Sequence, residues 1–258
     1  MKKFSNGIFK AAILFFAAFT VFQLSAQIKP GETLIYAASY EISGLMTNLA
    51  QVTLKTGTIK TSKNEYLHLS LEAATFNKWD SYFKIRDYYE SYVQPGTLKT
   101  SMYKRNVFEG KYTKTEKYVF TNNGTNINSV SQRMNRPEVK QSFKIGASTN
   151  DVVTLCYKLR TVDYSKYKPG QLLSYTIVFD NKEYPVTIKY MGKETVPAGN
   201  LGKKECFKLS ISAKTNKLKG TDKNLIWLSA DTKKIPCQIK FSIPVGIGQL
   251  LLTNASGI

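Results

Sequence analysis

Apolar and polar residues alternate with a period of two along most of the chain after Thr33. Leu34, Tyr36, Ala38, Tyr40 and Ile42 fall on one face and Thr33, Ser39 and Glu41 on the other, as in β-strands, whose successive side chains point to opposite sides. The pattern recurs where Leu67, Leu69 and Leu71 oppose Tyr66, His68 and Ser70, and again over residues 82–93. In that long segment Phe83, Ile85, Asp87, Tyr89 and Val93 share a face predicted to be buried, against Tyr82, Lys84, Arg86, Tyr88, Glu90 and Tyr92. Between the strands stand Gln94-Pro95-Gly96, Glu109-Gly110, Asn122-Asn123-Gly124 and Asp180-Asn181. These suit reversals, because Gly and Asn tolerate positive φ and Pro fixes it. Short turns make neighbours antiparallel. One hairpin is predicted to join residues 173–179 to 186–190, and another to join 225–229 to 235–243 through Ala230-Asp231-Thr232-Lys233.

One segment departs from the period of two. Val152, Leu155, Cys156, Leu159 and Val162 follow helical spacing, Ser148 with Asp151 resembles a capping box, and Lys158 and Arg160 complement the helix dipole in the last turns. The predicted fold class is therefore mainly β: a curved antiparallel sheet or incomplete β-barrel of ten or more strands, with one amphipathic helix at about residues 150–162 packed on its concave face. No repeat or low-complexity tract interrupts it.

The first 26 residues read differently. Lys2, Lys3 and Lys10 precede an uncharged apolar run over residues 11–24, closed by the small residues Ser25 and Ala26, which is the organisation of a secretory signal peptide. The run falls short of the roughly 20 residues needed to cross a bilayer. Cleavage after Ala26 would leave residues 27–258 as a single β-rich domain, exported and without a lipid-anchor cysteine near the junction.

Export changes the meaning of the charge. The chain carries 37 Lys and Arg against 18 Asp and Glu, and loss of the three leader lysines leaves a net charge of +16 on the mature protein. Outside the cytoplasm that surplus favours an anionic envelope surface over nucleic acid. The lysines are spread singly along strands, as on a solvated face. Cys156, Cys206 and Cys237 are odd in number and read as thiols serving as small buried hydrophobes. A bridge between Cys206 and Cys237 would require facing layers or a register shift.

Catalytic motifs are scarce. His68 is the only histidine, which excludes any site needing two, and no partner for it is suggested by spacing. There is no nucleophile elbow, phosphate loop or C-x-x-C pair; Gly246-Ile247-Gly248 reads as a strand bend. No metal or cofactor is expected. Asp87, in phase with Phe83, Ile85 and Tyr89, is expected to form a buried ion pair with Arg86, Arg105 or Arg160. The 16 tyrosines and 14 phenylalanines could line an apolar cavity or fill a core.

Several phrases occur in a familiar order: Gly31-Glu32-Thr33-Leu34-Ile35-Tyr36, then Arg86-Asp87-Tyr88-Tyr89-Glu90-Ser91-Tyr92-Val93, then Tyr103-Lys104-Arg105. Further on stand Tyr190-Met191-Gly192-Lys193-Glu194-Thr195-Val196 and Ile226-Trp227-Leu228-Ser229-Ala230-Asp231, and the chain closes with Val245-Gly246-Ile247-Gly248-Gln249-Leu250. The mature chain thus resembles the DUF3108 family of exported bacterial proteins. The resemblance implies a periplasmic protein of Bacteroidetes type, and brings no activity or catalytic residue with it. The reading reached is a non-enzymatic protein that binds an apolar or amphiphilic, lipid-like ligand in the concave sheet, through Tyr82, Arg86, Tyr88 and Tyr92, with Trp227 as a further candidate. The alternatives are an envelope scaffolding or interaction module and, third, a carboxylate-based glycan hydrolase. The partners implied are an amphiphile, or an envelope protein or anionic surface.

Overall fold

The computed structural model describes residues 28–42, 44–213, 223–243 and 246–258; the expected leader and the expected cleavage point after Ala26 lie outside the described residues. The chain runs through β1 (Thr33–Ile42), β2 (Leu45–Lys60), β3 (Glu65–Thr75), β4 (Arg86–Val93), β5 (Thr100–Glu109), β6 (Tyr112–Thr121), β7 (Asn126–Arg133) and β8 (Val139–Lys144). It then crosses a helix, α1 (Val152–Leu159), and returns through β9 (Leu172–Phe179), β10 (Lys182–Pro197), β11 (Lys203–Ala213), β12 (Leu225–Ser229), β13 (Pro236–Ile243) and β14 (Gly246–Ser256).

All fourteen strands form one antiparallel sheet in the order β8-β7-β6-β5-β4-β3-β2-β1-β14-β13-β12-β11-β10-β9. The two meanders join where the first strand pairs with the last, Thr33 opposite Ser256 and Tyr40 opposite Gly248. Strand pairing does not close the sheet into a barrel. The connection before α1 occupies the seam between the outer strands: Asn150 N donates to Thr176 O (2.9 Å) and Val178 N donates to Asn150 O (2.9 Å). The tip of the β9–β10 hairpin reaches across the same seam, where Asn181 N donates to Tyr118 Oη (2.8 Å) and Asn181 Nδ2 to Gln141 Oε1 (3.0 Å).

The expected hairpins are present. Phe179 opposes Lys182 across a two-residue turn in which Asp180 and Asn181 both have positive φ, the mirror-image turn that matches strand twist. β12 and β13 pair as expected, with an irregularity between Trp227 and Leu228. Both thiols on the flanking strands, Cys206 and Cys237, belong to one buried cluster, where they interact with one another and remain unbridged. Gly248 is a strand residue opposite Phe241, whose ring occupies the space a Cβ would need.

Two local expectations are corrected, and one strand was not anticipated. The strand expected over 82–93 begins at Arg86. Before it, Thr75 Oγ1 donates to Asp80 Oδ1 (2.5 Å) and accepts from Ile85 N (3.1 Å), and the Arg86 guanidinium binds both Asp80 oxygens, a polar knot that ties residues 76–85 into a loop. Phe83 consequently lies 52% exposed, its ring against Gly110. The helix ends at Leu159, and its cap is Asp151 accepting from Thr154 N, with no part played by Ser148. Finally, the sixteen-residue β2, which the periodicity had not singled out, lies between β1 and β3 near the middle of the whole sheet.

The helix is buried on two sides. Val153 and Tyr157 join a cluster with Leu34, Tyr36, Leu54, Leu69, Val93, Tyr103, Tyr118 and Ile127 inside the first meander. Leu155 and Leu159 join a second cluster with Tyr164, Leu173, Ile188, Leu209 and Ile226 on the second meander. Its apolar residues therefore stitch the two meanders together across the open side of the sheet, and most of its stability comes from this packing, as for any helix of two turns.

Candidate functional site

On the enclosed face the register aligns Leu54, Leu71 and Tyr89 in one cross-strand row and Ala73 with Asp87 in the next. Above them stand Val152, Val153 and Cys156 of α1. These eight residues line a cavity of about 330 Å³, at the lower end of the size range of small-molecule sites. The space exists because Ala73 is small where it faces Asp87, and because the helix presents two valines and a cysteine in place of larger side chains.

The roof is fixed at both ends. Asp151, buried at the helix start, accepts four hydrogen bonds: from Ser91 Oγ (2.6 Å) and Thr154 N (2.8 Å) at Oδ1, and from Thr100 Oγ1 (2.7 Å) and Thr154 Oγ1 (2.6 Å) at Oδ2. At the helix end Arg160 donates to both oxygens of Glu32, 2.6 Å each, and to Lys233 O (3.2 Å). The helix is thus held over β3 and β4 by charge-assisted bonds as well as by packing.

Asp87 is the one acidic or basic residue in the cavity wall. Its Oδ1 accepts from Phe108 N (3.0 Å). Burial lifts its carboxyl to about 6, against the pull of the Phe108 N–H, and the neighbouring Glu109 carboxyl, hydrogen-bonded to it, adds to the rise. Burial also pushes the Cys156 thiol up to about 11 and holds the Tyr89 phenol well above its ordinary range, so both are neutral near pH 7.

The expected ion pair of Asp87 is not formed. Arg86 lies on the other face and binds Asp80, and Arg160 binds Glu32. Arg105 is committed to Glu116 (Nε–Oε2 2.8 Å) and to Asp180 at the hairpin tip, with the Phe179 ring 4.1 Å from its guanidinium carbon. Lys114 completes this buried cluster, 3.0 Å from Glu116 and 2.5 Å from Asp180. Burial works against the Asp180 charge, but the Lys114 bond and the Arg105 guanidinium hold its carboxyl below the usual range. Arg105 and Arg160 are therefore paired with carboxylates other than Asp87.

The tyrosines expected to contact a ligand do not line this cavity. Tyr82 sits in the 76–85 loop, 81% exposed, beside Trp79 (ring centroids 5.8 Å apart). Tyr88 and Tyr92 occupy the outer face of β4, because alternation sends Asp87 and Tyr89 inward. There Glu90 accepts from Tyr92 Oη (3.0 Å) and Lys104 Nζ (3.1 Å) and lies 2.7 Å from His68 Nε2, so the lone histidine does have a carboxylate partner. Trp227 is buried in β12, away from the cavity, with Lys208 and Lys240 over its ring at 5.4 and 5.7 Å. Leu54, Leu71, Ala73 and the helix residues were not foreseen at a site; the signals available were the small Ala73 in phase with Leu67, Leu69 and Leu71 and an acid in phase with apolar neighbours.

Residues 36–253 match the model of a family described as a protein of unknown function, DUF3108. No curated protein matches the sequence significantly. Among solved structures, a β-barrel-like protein of the domain of unknown function DUF1849 from Brucella abortus is similar at a TM-score of 0.57 and 11% identity, over 87% of this chain and 96% of that one. A Bacteroides fragilis protein with a YmcC-like fold, described as exported, aligns at TM-score 0.34 and 9% identity, covering 88% and 96% of the two chains. A Parabacteroides distasonis protein described as a lipoprotein aligns at 0.36 and 9%, covering 90% and 98%. Among the described residues no helix is long and apolar enough to cross a membrane.

Proposed function

The chain belongs to the DUF3108 family, and from that starting point we propose that it is an exported binding protein whose cavity beneath α1 takes up the apolar part of an amphiphilic, lipid-like ligand. The observation that carries this reading is the cavity itself: about 330 Å³ between helix and sheet, walled by aliphatic, aromatic and thiol groups with a single carboxyl. The anchoring of the roof by Asp151 and Arg160 keeps the helix off the sheet there and holds the pocket open. The ligand contacts proposed are accordingly Leu54, Leu71, Ala73, Tyr89, Val152 and Cys156 in place of the outer-face tyrosines. Export rests on the leader pattern of residues 1–26, with the periplasm as the proposed compartment.

A glycan hydrolase would need two carboxyls facing each other across a cleft with room for the sugar. Asp87 instead has Glu109 hydrogen-bonded beside it, which favours binding over hydrolysis. One observation supports the alternative of an interaction module: Phe76, Tyr82 and Phe83 of the 76–85 loop are 37%, 81% and 52% exposed. Native mass spectrometry of protein isolated from its exporting cells separates the readings. A retained lipid-like mass, released by organic extraction, is expected; a ligand-free chain recovered with a stoichiometric protein partner would favour the interaction module.

A further inference from the structure

The cavity's one charged residue carries information about the polar end of what fits there. Asp87 faces the cavity with one oxygen held by Phe108 N (3.0 Å). Among the described residues neither Asp87 nor its neighbour Glu109 is in an ion pair. Arg105, whose charge acts on Asp87, is already shared between Glu116 and Asp180, and Lys114 is bound to those same two acids. The enclosed end of the sheet thus sets four carboxyls, Asp87, Glu109, Glu116 and Asp180, against two cations, Arg105 and Lys114, although the chain as a whole is strongly basic. The other polar groups facing Asp87 are the Tyr89 phenol from β4 and the Cys156 thiol from the roof, both neutral.

Building on the reading of this cavity as a ligand site, we infer that it selects amphiphiles whose polar end donates hydrogen bonds and bears no negative charge, with a long-chain amine as the best fit and a free fatty acid disfavoured. A protonated amine at Asp87 would supply the missing counter-charge and donate to its carboxylate in place of the hydrogen bond now shared with Glu109. A carboxylate in the same position would add a fifth acid to a low-dielectric pocket with no spare cation, where like charges repel strongly. An alkyl alcohol can donate without altering the charge and should fall between the two.

The test is competition at pH 7.5 against the neutral fluorophore N-phenyl-1-naphthylamine, with dodecylamine, dodecanol and dodecanoate below their micelle concentrations. Dodecylamine is expected to displace the probe at a concentration about tenfold or more below dodecanoate. In Asp87→Asn this ratio should shrink to about threefold or less while dodecanol is unchanged. Glu109→Gln, which keeps the pocket carboxyl but removes its neighbour's charge, should shrink the ratio in the same direction and serves if the first variant does not fold. Equal displacement by amine and carboxylate in the wild type, or a ratio indifferent to both substitutions, overturns the head-group assignment while leaving the cavity's binding role intact. A wild-type protein that takes up no probe overturns the binding role and this assignment together.

Discussion

Arg160 and Glu32 meet through two parallel N–H···O contacts of 2.6 Å, both side chains buried, joining the end of the helix to the residue just before β1 across 128 positions of sequence. This clamp and the Asp151 cap at the other end are what keep a two-turn helix standing over a cavity in place of collapsing into it.

Breaking one half of a buried pair strands the other charge. Glu32→Gln or Arg160→Met alone is expected to cost about 3–5 kcal/mol of folding stability, and the double substitution less than the sum of the two. Urea unfolding of the four proteins checks this; strictly additive losses would mean that the two groups do not act as a pair.

Asp151→Ala removes the helix cap, takes the partner from the buried Ser91 hydroxyl and leaves the Thr100 and Thr154 hydroxyls only each other. A loss of roughly 2–4 kcal/mol is expected, about 1 from the cap and the rest from these hydroxyls. Hydrogen exchange should rise first in residues 152–159; a uniform rise over the whole sheet would contradict the local role.

Burial lifts the Asp87 carboxyl from 3.8 to about 6. Between about pH 4 and 6 the folded protein holds a proton that the unfolded chain has released, so this group's contribution to stability is complete below pH 4 and is lost as the pH rises to 6. Asp87→Asn cannot ionise, and its stability relative to wild type should improve by on the order of 1–2 kcal/mol between pH 4 and pH 7. Chemical denaturation at the two pH values measures the change; a pH-independent difference would show that Asp87 titrates normally.

Because burial raises the Cys156 thiol to about 11 and Cys206 and Cys237 have no exposed surface, all three should resist iodoacetamide in the folded protein at pH 7.5 and react once it is unfolded. Cys156 is the one that an apolar ligand should protect further. Intact-mass analysis follows the reaction, and fast native labelling of Cys156 would mean that the helix does not roof the cavity.

The sequence was most legible where the determinant is local. Asp180-Asn181 announces its hairpin because positive φ at both central residues is a property of those two side chains, and the spacing of Val152, Leu155, Cys156 and Leu159 announces the helix, although its cap is Asp151 where Ser148 was expected. It was least legible where the partner is distant. The hydroxyls that satisfy Asp151 come from 60 and 51 residues away, and Arg105 finds Asp180 only because the sheet curls the β9–β10 tip onto its enclosed face. A period of two separates Tyr88 and Tyr92 from Asp87 and Tyr89, yet it is silent on which of two bulky faces the curl encloses. The loop at 76–85 escaped for a related reason: Phe83 and Ile85 keep the strand rhythm, but the Thr75, Asp80 and Arg86 knot overrides it.

The central claim is that the space beneath α1 is a binding site, and filling it is the most direct test. Fluorescence titration with N-phenyl-1-naphthylamine should show one site per wild-type chain, and Ala73→Trp, which places an indole in the cavity beside Asp87, should weaken that binding by about tenfold or more with its far-ultraviolet circular dichroism and cooperative unfolding retained. Undiminished binding by a folded Ala73→Trp protein, or no binding by the wild type, would contradict the account.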